Sequence, residues 1–260
     1  MRILAFESSA KAASVALLTD GMLCAERYQN DGQTHSRTIM KLAKDLLDDC
    51  GLCPADLDFV AWANGPGSFT GVRIGAAAAK GLCWGAELPC IPVSTLEAMA
   101  WNAVDLKGVI CCCMDARRNQ VYNALFRSEH GKIIRLRPDR AISLEELRAD
   151  LQGFSEPVCL VGDGAALAWE FLQSAEQQAG NDSPYNVDGK QRSVEDAAPY
   201  SLVAEHLRQQ RASGVALTAY EAALRGLQED PGTVTPNYLR LSQAERERLE
   251  RDKAEKGDQN

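Results

Sequence analysis

GVICCCMDA (108–116), QVYNALFRS (120–128) and KIIRLRP (132–138) read as three short strands joined by tight turns. LEELRADL (144–151) follows with helical spacing, then PVCLVGDG (157–164), a strand running into a glycine turn. AALAWEFLQSAEQQ (165–178) is helical, and a further helix is expected over 199–210. The same order stands in the first hundred residues. RILAFESS (2–9), ASVALLTD (13–20) and MLCAERYQ (22–29) read as strands, the last two closed by a tight T-D-G-M hairpin. From Thr34 to Cys50, apolar residues at Ile39, Ala43, Leu46, Leu47 and Cys50 share one helical face. FVAWANG (59–65) is a strand, 68–84 a helix with Ser68 as N-cap, CIPVS (90–94) a strand, and 95–103 a helix. A β-β-β-α-β-α order given twice predicts an α/β protein of two similar lobes, each a mixed β-sheet flanked by helices. Hairpins supply the antiparallel pairs and helices the parallel crossovers. The expected division is 1–105, 106–227, and a C-terminal segment, 228–260, whose charged tail from Gln243 reads as frayed or disordered.

A chain of 260 residues is long enough for two such lobes to bury a core. Lys and Arg total 28 against 36 Asp and Glu, a net charge of −8. Proteins that hold nucleic acid unaided are usually basic, because phosphate neutralisation supplies most of the affinity. The bulk charge therefore argues against tight solo binding to DNA or RNA. Nine cysteines could furnish an oxidised scaffold, but they sit in apolar contexts such as VICCCMDA and PVCLVG, where a reduced thiol is a small hydrophobe. An odd count fits full pairing poorly. MRILAFESSAKAAS offers no secretory signal, and no stretch approaches the roughly 18 apolar residues of a membrane span. A reduced, cytoplasmic protein with no membrane contact is expected.

Asn64-Gly-Pro-Gly-Ser-Phe-Thr-Gly-Val-Arg-Ile-Gly75 joins a strand to a helix. It is no Walker loop, lacking GK[ST], and its G-x-G-x-x-x-G spacing is one residue too long for the dinucleotide fingerprint. A glycine turn at a helix start could hold an anion or simply permit tight geometry. Within the helix, Gly71, Gly75 and Ala79 lie at i, i+4 and i+8, flanked by Ala78 and Leu82. Helical glycine costs about 1 kcal/mol relative to alanine. Two of them imply a backbone packed very close, either within the chain or from another protein.

That stretch, with KGL-x-x-G (80–85) and GAELPCIPVSTLEAMA (85–100), resembles the TsaB family, the bacterial partner subunit for threonylcarbamoyladenosine synthesis. ILAFESS, THS (34–36), MDARRNQVY (114–122), VGDGA (161–165) and PNYLRLSQAE (236–245) extend the resemblance over nearly the whole chain. It implies an actin-like ATPase (ribonuclease H-like) fold. It further implies a non-catalytic subunit that dimerises with the catalytic paralogue TsaD, with the TsaE ATPase joining the pair. The product would be threonylcarbamoylated adenosine next to the anticodon in tRNAs reading codons that start with A. A cofactor of its own is not expected; ATP or ADP and metal belong to the partner subunits. tRNA would be met through the complex, and the chain alone could form a homodimer. The partner interface implied is the first two helices: Ile39, Ala43, Leu46, Leu47, Gly71, Gly75, Ala78, Ala79 and Leu82.

Other site readings are weighed against this one. The catalytic paralogue holds metal through two histidines four apart; here His35 is followed at that spacing by Ile39, so no metal and no catalytic residue is assigned. Actin-like ATPases hold Mg-phosphate with an acid ending the first strand and another opening the second lobe. Glu7-Ser8-Ser9 and Asp115 occupy those places without the following phosphate-loop glycines, which predicts a degenerate nucleotide cleft, with Gly162 and Gly164 at its edge or in a structural turn. Ser8-x-x-Lys11 lacks the companion motifs of a serine–lysine hydrolase, and Cys50-x-x-Cys53 stands without a second pair. Seven basic residues fall between Arg117 and Arg140. Arg135 and Arg137 alternate along a strand and so are expected on one face. They would be either charge protection of a sheet edge or a supporting tRNA contact. A self-sufficient actin-like ATPase or phosphotransferase is the alternative function.

Overall fold

The computed structural model describes residues 1–180 and 200–240. The first sheet contains β1 (Arg2–Glu7), β2 (Ala13–Thr19), β3 (Met22–Gln29), β4 (Phe59–Ala63) and β5 (Cys90–Val93), in the order β3-β2-β1-β4-β5. The second contains β6 (Val109–Asp115), β7 (Gln120–Glu129), β8 (Lys132–Ser143), β9 (Val158–Val161) and β10 (Tyr200–Leu202), in the order β10-β9-β6-β7-β8. In each sheet the first three strands pair antiparallel and the last two run parallel to the first. Read from strand three, both orders are 3-2-1-4-5, so the twofold repeat expected from the sequence is a true duplication of topology. This is the actin-like, ribonuclease H-like arrangement.

The central strands are buried on both faces, and residue alternation sorts them into two layers. Leu4, Phe6, Val15, Leu17, Val60 and Trp62 meet α1 (His35–Asp49) and α2 (Phe69–Ala86) on the outer side of the first sheet. Ile3, Ala5, Ala16, Leu18, Ala61 and Ala63 meet α7 (Ala212–Leu224) on the inner side. That inner layer is rich in alanine on both partners, which brings helix and sheet close. In the second sheet, Val109, Cys111 and Cys113 face α4 (Leu144–Leu151) and α5 (Ala165–Gly180). Ile110, Cys112 and Met114 face α3 (Thr95–Ala100). The lobes meet where α3 packs on α7: a Cβ on Gly214 would stand 2.1 Å from the Ala98 carbonyl oxygen.

Three expectations require correction. Residues 200–202 are not helical but form β10, parallel to β9, and only α6 (Glu205–Arg208) follows. The fifth strand of the sheet takes priority over a helix that would have left the outer edge of β9 unpaired. Residues 212–224, expected within the second lobe, instead complete the first, so the lobes exchange their last helices. Apolar nearly all round, α7 carries no amphipathic stripe to reveal its target. Finally, β8 runs on past Pro138 to Ser143, tolerating proline because it is an edge strand. Residues 228–240 run along the first lobe: Glu229 bridges Cys90, Val234 enters the core beside α2, and Asn237 N donates to Asn64 O at 2.8 Å. The charged tail expected from Gln243 lies outside the described residues.

Candidate functional site

α1 starts at His35 and buries Thr38, Ile39, Ala43, Leu46 and Leu47, as its apolar periodicity requires. Ser68 caps α2, its Oγ accepting from Gly71 N at 3.3 Å. The nine residues expected at a partner interface mostly point the other way. Ile39, Ala43, Leu46 and Leu47 are no more than 5% exposed and Ala79 is fully buried, all within the core. The glycine face is equally internal. A Cβ on Gly71 would lie 2.1 Å from the Ser8 carbonyl oxygen, and one on Gly75 would lie 2.5 Å from Ser8 Oγ. The close backbone implied by the sequence is therefore the chain's own β1–β2 loop. Of the nine, Ala78 and Leu82 alone are half-buried rather than buried.

Two large apolar side chains that the apolar stripe misses do face outward. Met40 on α1 is 44% exposed and Trp84 on α2 is 63% exposed. Beside Met40, a groove of about 270 Å³ is lined by Met40, Ala43, Leu47, Leu52, Pro54 and Leu82; Trp84, two residues beyond Leu82 on α2, is not part of its lining. The sequence carried the signal: Met40 and Trp84 are apolar residues outside the buried stripe of their helices.

In the cleft, Glu7 ends β1 on the inner face and is fully buried. Its Oε1 accepts from Ser9 N at 2.6 Å; Oε2 has no partner among the described residues. Burial pushes the Glu7 carboxyl up to about 7, with the Ser9 hydrogen bonds opposing and the Asp163 charge adding to the rise. Ser8 Oγ donates to Gly71 O at 2.9 Å, and Ser9 O accepts from Ser68 N at 2.6 Å. The loop that would cradle a phosphate is thus consumed in packing against α2. Gly162 and Gly164 are likewise consumed in packing, against β6: a Cβ on Gly162 would stand 2.0 Å from Cys113 O, and one on Gly164 2.7 Å from Asp115 N. Asp115 is tied to Arg117, accepting from its backbone N at 2.7 Å and its guanidinium at 3.0 Å. Asp163, its carboxyl raised by burial, accepts from Gln210 Nε2 at 2.8 Å. His35 Nε2 meets Ala10 O at 2.7 Å while Ile39 lies in the core. Among the described residues no three His, Cys, Asp or Glu side chains converge as a metal would need.

All nine cysteines are free thiols, and six of them are buried. Burial pushes Cys83 up to about 12 and Cys90 up to about 11, so both stay protonated. Among the described residues no helix is long and apolar enough to cross a membrane.

The basic stretch is rearranged by a bulge. Arg135 pairs with Phe126 and Arg137 with Leu125, so two residues of β8 oppose one of β7 and the alternation slips. Arg135 and Arg137 consequently leave the sheet on opposite faces, contrary to the shared face expected. Arg135 lies over the Phe126 ring and bonds Glu97 at 2.6 Å and Asp139 at 2.5 Å. Arg137 meets Phe154 and Asp150, and Arg140 meets the same Asp150. Each charge is answered locally.

The family model described as TsaD, tRNA N6-adenosine threonylcarbamoyltransferase, matches residues 29–247. The tRNA threonylcarbamoyladenosine biosynthesis protein TsaB of Bacillus subtilis is 33% identical over 218 residues, covering 80% of this chain and 94% of that protein. The Escherichia coli protein of the same name is 42% identical over 134 residues, 50% of this chain and 58% of its own length. The solved structure of YeaZ from Pseudomonas aeruginosa superposes with a TM-score of 0.71 at 25% identity, covering 92% of this chain and 99% of that one.

Proposed function

Since the chain belongs to the TsaB family, we propose that it serves tRNA threonylcarbamoyladenosine biosynthesis as the non-catalytic partner of the paralogous TsaD subunit. TsaE would join that pair, and the modified base would be the adenosine next to the anticodon in tRNAs reading codons that start with A. The observation that carries this reading is 33% identity over an alignment spanning 94% of the Bacillus subtilis TsaB. The cleft supports the non-catalytic part, because the backbone N–H groups of Ser9, Ser68 and Gly71 are spent on Glu7 Oε1, Ser9 O and Ser68 Oγ where a phosphate loop would need them open. The partner surface would be the outward side of α1 and α2, centred on Met40, Leu82 and the groove they line, with Trp84 exposed elsewhere on α2. Exposed apolar side chains around a groove are the usual anchor of a protein interface.

Reconstitution tests this directly. TsaD, TsaE and the threonylcarbamoyl-adenylate source should modify a tRNA transcript only when this chain is added. Met40→Asp combined with Trp84→Asp should abolish co-purification with TsaD while leaving the melting temperature within a few degrees. Modification that proceeds equally without the chain would refute the reading. Nucleotide hydrolysis by the chain alone, lost on Asp115→Ala, would favour the actin-like ATPase or phosphotransferase instead.

A further inference from the structure

Arg135, Arg137 and Arg140 are neutralised in place, but another set of cations is not. Lys11, Arg37, Arg73 and Arg118 are exposed, Arg240 is half-buried, and none has a carboxylate partner among the described residues. They come from five separate segments, which the fold assembles along one rim. His35 Nε2 on Ala10 O ties the Lys11 loop to the start of α1, where Arg37 stands. Ser68 N on Ser9 O ties the same loop to the start of α2. There Phe69 and Tyr238 stack with centroids 4.8 Å apart; Arg73 covers Phe69 at 3.8 Å and its Nε donates to the Tyr238 hydroxyl at 2.8 Å. Two residues further on, Arg240 Nη1 donates to Ala116 O at 2.5 Å, reaching the β6–β7 turn. In that turn Arg117, Arg118 and Asn119 all take left-handed backbone, with φ of 65°, 57° and 55°, and all three are exposed.

We propose that this rim, Lys11, Arg37, Arg73, Arg118 and Arg240 around the Phe69–Tyr238 pair, is the surface on which the chain receives the phosphate backbone of RNA. The inference rests on the proposed role in tRNA modification. Unpaired cations spaced over two lobes match a polyanion rather than a compact anion, and an aromatic pair capped by arginine offers a base a stacking face. Asp115 is occupied by Arg117 and Asp163 by Gln210, so both acids are engaged within the cleft behind the rim. The net charge of −8 is compatible with this, since the rim concentrates positive charge that the average conceals.

The test compares two variants of the full chain with equal change of net charge: Arg37→Glu/Arg118→Glu on the rim, and Lys107→Glu/Arg225→Glu away from it. Affinity for an unmodified tRNA transcript is measured over a salt series, for the chain alone and mixed with TsaD. The rim variant should lose affinity about tenfold or more at low salt, with a salt slope shallower by about 1.5, the loss of two phosphate contacts. The control should stay within about twofold of the native chain on the same scale. Equal loss in both variants, or no loss in either, overturns the proposal. Co-purification with TsaD is scored on the same preparations. A rim variant that still pairs but binds RNA less supports the rim, whereas a native chain that fails to pair refutes the partner role and leaves the RNA comparison to be judged by itself.

Discussion

Glu7 is a carboxyl placed where it is hardest to charge. Its folded pKa of about 7 stands above the 4.5 of an unperturbed group, so the folded state binds a proton the unfolded state releases. Stability therefore falls as pH rises from the unfolded value to about 7 and stays low above it. With about 1.4 kcal/mol per pK unit, the cost of an ionised Glu7 is on the order of 3 kcal/mol. Glu7→Gln cannot ionise. It should leave stability at pH 5 nearly unchanged and raise it at pH 8 by a kilocalorie or more, measured by urea unfolding at the two pH values. Equal stability at both pH values in the native chain would contradict this account. Gly71 makes the complementary case for space. With Ser8 O 2.1 Å from the position of a Cβ, Gly71→Ala forces helix and loop apart and should cost at least about 2–3 kcal/mol in the same measurement.

Among the elements, β8 shows why charge read along a strand can mislead. Its alternation predicts a shared face for Arg135 and Arg137, but register depends on the neighbour, and one bulge against β7 reverses it. Arg135→Ala would strand Asp139 and Glu97, both partly buried, and should destabilise by about 1.5–3 kcal/mol with no change in RNA affinity. A loss of RNA affinity in a variant of unchanged stability would reinstate the contact. Most elements were legible because their signals are local: the Ser68 cap, the helical spacing of α4, the period-two strands. α7 and β10 were not, for a physical reason. Each is defined by what it completes, one the bare face of a distant sheet and the other the last place in its own. The candidate interface was half legible for a related reason. Periodicity found the buried stripe of α1 and α2, while Met40 and Trp84 mark the face that looks away from it.

For the whole molecule, the segment from Glu229 to Arg240 is a further tie that touches both lobes, besides the packing of α3 on α7. It is anchored to the first by Cys90, Asn64, Lys80 and Arg73, and to the second through Ala116. Arg240→Ala removes the last of these. It should raise hydrogen exchange in the 116–119 turn several-fold while the strands of the first sheet keep their protection. An unchanged turn would mean that Arg240 is not what holds it.

The exchange of last helices sets a schedule for biosynthesis. Among the described residues the inner face of the first sheet is covered chiefly by α7, whose leading residue, Ala212, is bonded to Ser14 across 198 positions of chain. A nascent polypeptide that has completed five strands must therefore wait for almost all the rest to leave the ribosome before Ala5, Ala16 and Ala61 are shielded from water. Until then the half-made protein presents an apolar sheet to its surroundings, a substrate for chaperones. A fragment ending at residue 105 should accumulate in that state, insoluble or chaperone-bound, and a separately supplied second half carrying α7 should rescue it.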